Sequence, residues 1–282
     1  MLCSRCQQTE KVRASGRCAP CEAVANGEAG APPPVLLVAP QRYAQPRPNV
    51  PAPRLASPVG LSWAVVALLG LCVLADVFSL YAGSTMFGLV DRWIGGDEPY
   101  EFQADHADLL QLVSGIAQAA AVLATAVVFI IWFRRVRINA EVFRPDGHRM
   151  RRGWAVWGWI VPVVNVWFPK RIANDIWSAS LPHEPDGSPR RVPRTLMNWW
   201  WGLLIAAFTL GRTGGRMYSR AETLEEVRRA VEVLFVADAV DIVAAVVAML
   251  FVRRLTALQD EKAHQGPVLP PPAPPFREPA AV

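Results

Sequence analysis

The chain has 282 residues, 52% of them hydrophobic, with 25 prolines and a formal net charge of +5. Its apolar residues collect in blocks and most prolines fall outside them, which excludes both an ordinary soluble domain and a wholly disordered chain. The basic balance does not imply nucleic acid, because the arginines cluster beside apolar spans, where they act as topology signals and contact anionic headgroups.

Residues 1–27 carry Cys3-x2-Cys6 and Cys18-x2-Cys21, and this stretch has no apolar core of a signal peptide, so the N-terminus is expected to stay unexported. Two such pairs form the usual ligand set of a structural Zn2+, since four thiolates at about 2.3 Å satisfy its tetrahedral coordination. A site with four thiolates has no open position, so it predicts a small binding module held together by its metal and not a catalytic centre. Disulfides or a redox pair are the alternative, and they require an oxidising compartment. Residues 28–58 form a proline-rich linker and residues 261–282 a similar tail, both expected to be disordered and to favour extended polyproline conformers.

The membrane domain is expected over residues 59–260. A first span is predicted at 59–81, holding Cys72 and one costly acid, Asp76, and an acidic connection follows at 91–108. A second span covers 109–133. Both exceed the roughly 20 residues that cross a bilayer. Arg134, Arg135, Arg137, Arg144, Arg149, Arg151 and Arg152 then crowd one loop against only Glu141 and Asp146. That loop is predicted to be cytoplasmic, which puts the N-terminus in the cytoplasm as well.

The next apolar piece, 154–169, is short and contains Gly158, Pro162 and Asn165. It reads either as a kinked crossing helix or as a re-entrant element. The re-entrant reading sorts fifteen basic residues inside and six outside, against twelve and nine if it crosses. Asn165 is expected to satisfy carbonyls freed by the kink. A fourth span is predicted at 196–211, beginning in tryptophans, and GRTGGR at 211–216 reads as a turn. Thr223 and Glu226 fit a capping box before a last span at 231–252, although continuous helix from Ala221 fits equally well.

The expected fold is therefore all-α: a polytopic membrane helix bundle of four transmembrane helices plus a short kinked re-entrant or fifth helix, preceded by a small zinc knuckle. The expected location is the plasma membrane with both termini cytoplasmic. Acids inside apolar runs are site candidates by default. Asp76, Asp238 and Asp241 fall at similar depth, near Arg212 and Arg216, which predicts a charged cluster closing the outer end of the bundle. The four histidines all read as exposed residues in polar connections. No phosphate-binding loop, dinucleotide fingerprint, HExxH or GxSxG motif is present. No catalytic residue is assigned, and the chain is not expected to be an enzyme.

The stretch FRRVRINAEVFRPDGHRMRRGWAVWGWIVPVVNVWFPKRIANDIWSAS, with the later NWWWG and the DIVAAVVAMLFVRRLTALQ ending, resembles an uncharacterised family of actinobacterial membrane proteins, domain of unknown function 4328. The shared positions are Arg137, Asn139 and Ala140, then Gly153, Trp154, Gly158, Trp159, Pro162, Asn165 and Trp167. Pro169, Ile172, Trp177, Ser180, Trp199 and Trp200 follow. The resemblance covers about residues 60–260 and implies no activity. The four-cysteine knuckle resembles a zinc-ribbon-like accessory that some members carry.

Two functions follow from the residues. The first is a membrane-anchored binding, scaffold or sensing protein with a cytosolic zinc module, whose partners are the anionic bilayer and a cytosolic protein recognising the module or a Pro-rich segment. The second is a transporter or channel-like protein that uses the kinked segment together with Asp76, Asn165, Asp238 and Asp241.

Overall fold

The computed structural model describes Glu22 and residues 55–266. Two compact units divide the chain, Met1–Ala52 and Pro53–Val282, and Glu22 is the one described residue of the first. Among the described residues of the second unit, helices are the only regular elements apart from an isolated bridge between His183 and Pro189. Its elements are α1 (Val59–Ile94), α2 (Glu101–Phe143), α3 (Trp154–Ile160), a 3-10 turn (Val164–Val166), α4 (Phe168–Ala179), α5 (Thr195–Arg220) and α6 (Leu224–Gln265).

Among the described residues, three helices are long and apolar enough to cross a membrane: α1 with 36 residues, α2 with 43 and α6 with 42. At 1.5 Å per residue each measures about 54 Å or more, so their ends extend well past a hydrocarbon layer of about 30 Å. The apolar runs at 59–81, 109–133 and 231–252 are thus the middles of longer helices. α5, with 26 residues, joins the apolar piece at 196–211 to a polar extension. GRTGGR belongs to that helix and is not a turn. Gly214 permits this, because a Cβ there would stand 2.8 Å from the Leu234 side chain of α6.

The packing is inside-out relative to a soluble bundle. Buried faces carry small residues at seven-residue intervals: Ala107, Ser114 and Ala121 on α2, and Ala230, Ala237 and Ala244 on α6. Large apolar side chains point outward instead, with Leu74, Leu123 and Phe208 about two-thirds exposed. Small residues let helix backbones approach closely in lipid, while the bulky ones meet the acyl chains. The chain is a multi-pass membrane protein.

α1 packs between α2 and α6, and α5 packs on α6. Helix termination follows local chemistry. α1 stops at Gly95 and Gly96, the latter with φ of +96°, and α6 starts from the capping box, with Thr223 accepting from the Glu226 N–H. Pro162 follows the end of α3, and Val163 adopts φ of +68°, a left-handed conformation rare for a β-branched residue.

Residues 154–179 enter and leave at the same end of the helix layer. At the entry, the Arg149 N–H donates to Asp175 of α4 at 3.1 Å. At the exit, Ser180 accepts from Gln259 of α6 at 3.0 Å, and the Ala179 carbonyl accepts from Lys262 at 2.8 Å. The start of α1 lies there too, because the Ala56 backbone is bonded to Asn139 of α2. We call this the base end. Above it an aromatic core joins four elements: Phe133 of α2 meets Trp159 of α3 edge-on at 5.6 Å, and Trp200 of α5 stacks on Phe251 of α6 at 4.3 Å.

Candidate functional site

Two polar clusters interrupt the apolar packing. The first lies within the long helices. Gln118 of α2 donates to Asp76 of α1 and to Asp238 of α6, both at 2.9 Å, so one side-chain amide ties three helices together. Asp76 is 3% exposed and Asp238 7%, and the second carboxylate oxygen of Asp76 is enclosed with no hydrogen-bond partner among the described residues. Ser79 of α1 also faces Asp238. Cys72, one turn before Asp76, makes a 3.3 Å contact with the Thr125 hydroxyl. Asp241 sits one turn along α6 and is half-buried. Two carboxylates on one amide, away from water, form a site suited to a proton or a small cation.

The charged cluster expected at the outer end is assembled differently. Asp76 and Asp238 meet an amide, not Arg212 or Arg216, and Arg212 lies over the Phe208 ring at 5.9 Å. Among the described residues, the ion pairs at that end join Arg228 to Asp91 and to Glu232, each at 3.6 Å. Asn165 does not join the acids. It lies in the 3-10 turn, where its backbone N–H donates to the Val161 carbonyl at 3.2 Å, and its side chain makes no hydrogen bond among the described residues. Gln118 gave no sequence signal beyond being the one amide in an alanine-rich run.

The second cluster closes the base end. Asn139 exchanges two hydrogen bonds with the Ala56 backbone, at 3.1 and 2.9 Å, and donates to Gln259 at 3.2 Å. Gln259 in turn donates to the Val136 carbonyl at 2.8 Å and to Ser180. Asn139, Gln259 and Ser180 are all buried, so each bond forms away from competing water. Arg137, 2% exposed, donates to Glu141 at 2.7 Å and to the Met150 carbonyl at 2.8 Å, and Arg152 also pairs with Glu141. The arginine-rich loop is thereby folded back onto α2.

His148 is enclosed in this loop and is not an exposed connector. Burial pushes its imidazole below the usual range, and the Arg137 charge adds to this. The Ala140 carbonyl, Glu141 and Asp175 act in the opposite direction. The base cluster therefore serves as a structural clasp. Its amides and Arg137 are paired internally, while both His148 ring nitrogens are enclosed without a hydrogen-bond partner among the described residues.

No group of three or more His, Cys, Asp or Glu able to hold a metal occurs among the described residues. Cys3, Cys6, Cys18 and Cys21 lie outside the described residues, as do most of the expected linker and tail. The donor chemistry of four thiolates in two Cys-x2-Cys pairs fits structural zinc.

No curated protein and no solved structure matches the chain. One family description does, "Domain of unknown function (DUF4328)", over residues 98–257. That region runs from just before α2 to near the end of α6, taking in Gln118, Asn139, Asp238 and the entire α3–α4 segment, while Asp76 on α1 lies outside it. With more than half of its residues matched, the chain belongs to the DUF4328 family.

Proposed function

We propose that the protein is a non-enzymatic anchor in the plasma membrane, holding a zinc module in the cytosol where it binds a protein partner. Four helices cross the bilayer, α5 being the fourth, and α3–α4 is re-entrant. The base end faces the cytoplasm with both termini. What carries the reading is the clamping of Ala56 by Asn139, which roots the cysteine-bearing N-terminal segment at the end of the domain richest in arginine. The positive-inside rule assigns that end to the cytoplasm, where thiols stay reduced and bind zinc. In the zinc module Cys3, Cys6, Cys18 and Cys21 hold the ion, which supplies the folding energy that so short a segment lacks.

The test uses the full chain purified from membranes. One zinc per chain is expected by elemental analysis, lost in Cys3→Ser/Cys6→Ser together with the cross-linked cytosolic partner. An unchanged partner set in that variant sinks the anchor reading. Labelling of single cysteines at 175–190 by an impermeant reagent tests the topology separately, with reaction expected only from the cytoplasmic side.

A second reading rests on the unpartnered oxygen of Asp76 beside Asp238. Here the Asp76–Gln118–Asp238 group carries a proton or cation step through the bundle. Proteoliposomes would show a proton or sodium flux that Asp238→Asn abolishes. Wild-type flux no greater than that of empty vesicles, or flux unchanged in the variant, rejects it.

A further inference from the structure

At the end opposite the base, α5 and the start of α6 border an open groove of about 420 Å³. Thr213, Arg216, Met217 and Arg220 line it from α5 at positions i, i+3, i+4 and i+7, one continuous helix face, and Glu226 and Arg229 line it from α6. Its depth is set by Gly214, whose contact with Leu234 puts this part of α5 level with the start of the apolar run of α6. The cleft thus lies at the level of lipid headgroups.

The cleft is net positive, with Arg216, Arg220 and Arg229 against the single carboxylate of Glu226. Other arginines at this end are occupied: Arg228 pairs with Asp91 and Glu232, Arg92 donates to the Gly88 carbonyl, and Arg212 lies over Phe208. Arg216, Arg220 and Arg229 have no ion pair among the described residues. Glu226, the one acid in the lining, is engaged in the α6 cap, accepting from the N–H groups of Glu222 at 2.8 Å and Thr223 at 3.4 Å. Arginine near the non-cytoplasmic end of a span works against the topology rule. Topology therefore does not account for three of them facing one cleft. Guanidinium forks match phosphate oxygens in geometry as well as charge, and the Thr213 hydroxyl adds a donor.

We propose that this cleft binds the phosphate of an anionic phospholipid, gripped by Arg216, Arg220 and Arg229, with the acyl chains running down the apolar outer face of α5 and α6. The phosphate chemistry is shared with soluble phosphate, and the position at the edge of the apolar layer favours the lipid. The outer leaflet and the argument from arginine placement rest on the proposed topology; the site does not depend on the zinc module.

The experiment compares the full chain with Arg216→Gln/Arg220→Gln/Arg229→Gln in detergent, using native mass spectrometry with added phosphatidylglycerol or phosphatidylcholine. Wild type is expected to retain phosphatidylglycerol over phosphatidylcholine, and the variant to lose that retention about tenfold. Thermal unfolding without added lipid should match between the two chains, since the three side chains make no internal ion pair. Equal retention of phosphatidylglycerol by both chains, or no preference over phosphatidylcholine in wild type, overturns the proposal. Displacement of the lipid by millimolar inorganic phosphate overturns the lipid assignment and makes the ligand a soluble anion.

Discussion

Asn139 and Gln259, 120 residues apart in the chain, meet side chain to side chain at 3.2 Å in the buried base of the molecule. Asn139 also holds the backbone of Ala56, and Gln259 holds the Val136 carbonyl and Ser180. These two amides therefore tie together the entry to α1, the end of α2, the exit from α4 and the end of α6. Asn139→Ala leaves the Ala56 N–H and carbonyl and the Gln259 oxygen without their partner. We expect a loss of about 2–3 kcal/mol, read as a lower midpoint of thermal unfolding in detergent. Gln259→Ala should cost a similar amount, and the double variant less than the sum, since the two share a bond.

Gln118→Leu removes the donor shared by Asp76 and Asp238. Two carboxylates then remain in apolar surroundings with no common partner, and a destabilisation of about 1–2 kcal/mol is expected. Combining it with Asp76→Asn and Asp238→Asn should recover much of the loss, because neutral amides supply both donors and acceptors. Failure of that rescue, measured as the melting midpoint and the yield from membranes, would show that Gln118 acts through packing alone.

Close helix approach is tested by glycine substitution. A Cβ at Gly83 would stand 2.9 Å from the Phe235 ring, whereas at Gly70 nothing lies within 4 Å. Gly83→Ala should destabilise by about 1–3 kcal/mol through overpacking of α1 on α6. Gly70→Ala on the same helix should be neutral or stabilising by up to about 1 kcal/mol. A melting midpoint that falls equally in both would contradict the packing of α1 on α6.

The His148 imidazole is held below its ordinary range by burial and by Arg137. Its folded form therefore binds a proton less readily than its unfolded form. The unfolded chain carries more protons from just below the ordinary value of about 6.5 downward, so stability is fully present above that pH and falls as pH drops through it. Melting midpoints between pH 5 and 8 should show a steeper acid loss for wild type than for His148→Asn. Identical pH profiles would remove His148 from the clasp.

The three long spans were legible in the sequence because an uninterrupted apolar run has few alternatives to a membrane helix, and the break after Trp154–Ile160 was legible in Pro162. The cap at Thr223 and Glu226 was readable as a local pattern, and the structure resolves the ambiguity with a continuous helix in its favour. GRTGGR was misread because glycine pairs usually mark turns. Gly214 instead makes room for Leu234, a relation that only the fold reveals. The two acids Asp76 and Asp238 stood out by their cost in lipid, but Gln118, which joins them, carries no charge and so left no mark. Asn139 appeared in the motif of the family resemblance, whereas its partner Gln259 sits in an ordinary polar helix end, beyond any local pattern.

The clamping of Ala56 also has a mechanical consequence. Tension on the segment before residue 55 reaches the domain through bonds held by Asn139 and, behind it, by Gln259. The load is thus borne by α2 and α6, and the first turn of α1 is spared from unpeeling. A pull from that side has to break these bonds before it can draw the first turn of α1 out of the helix layer.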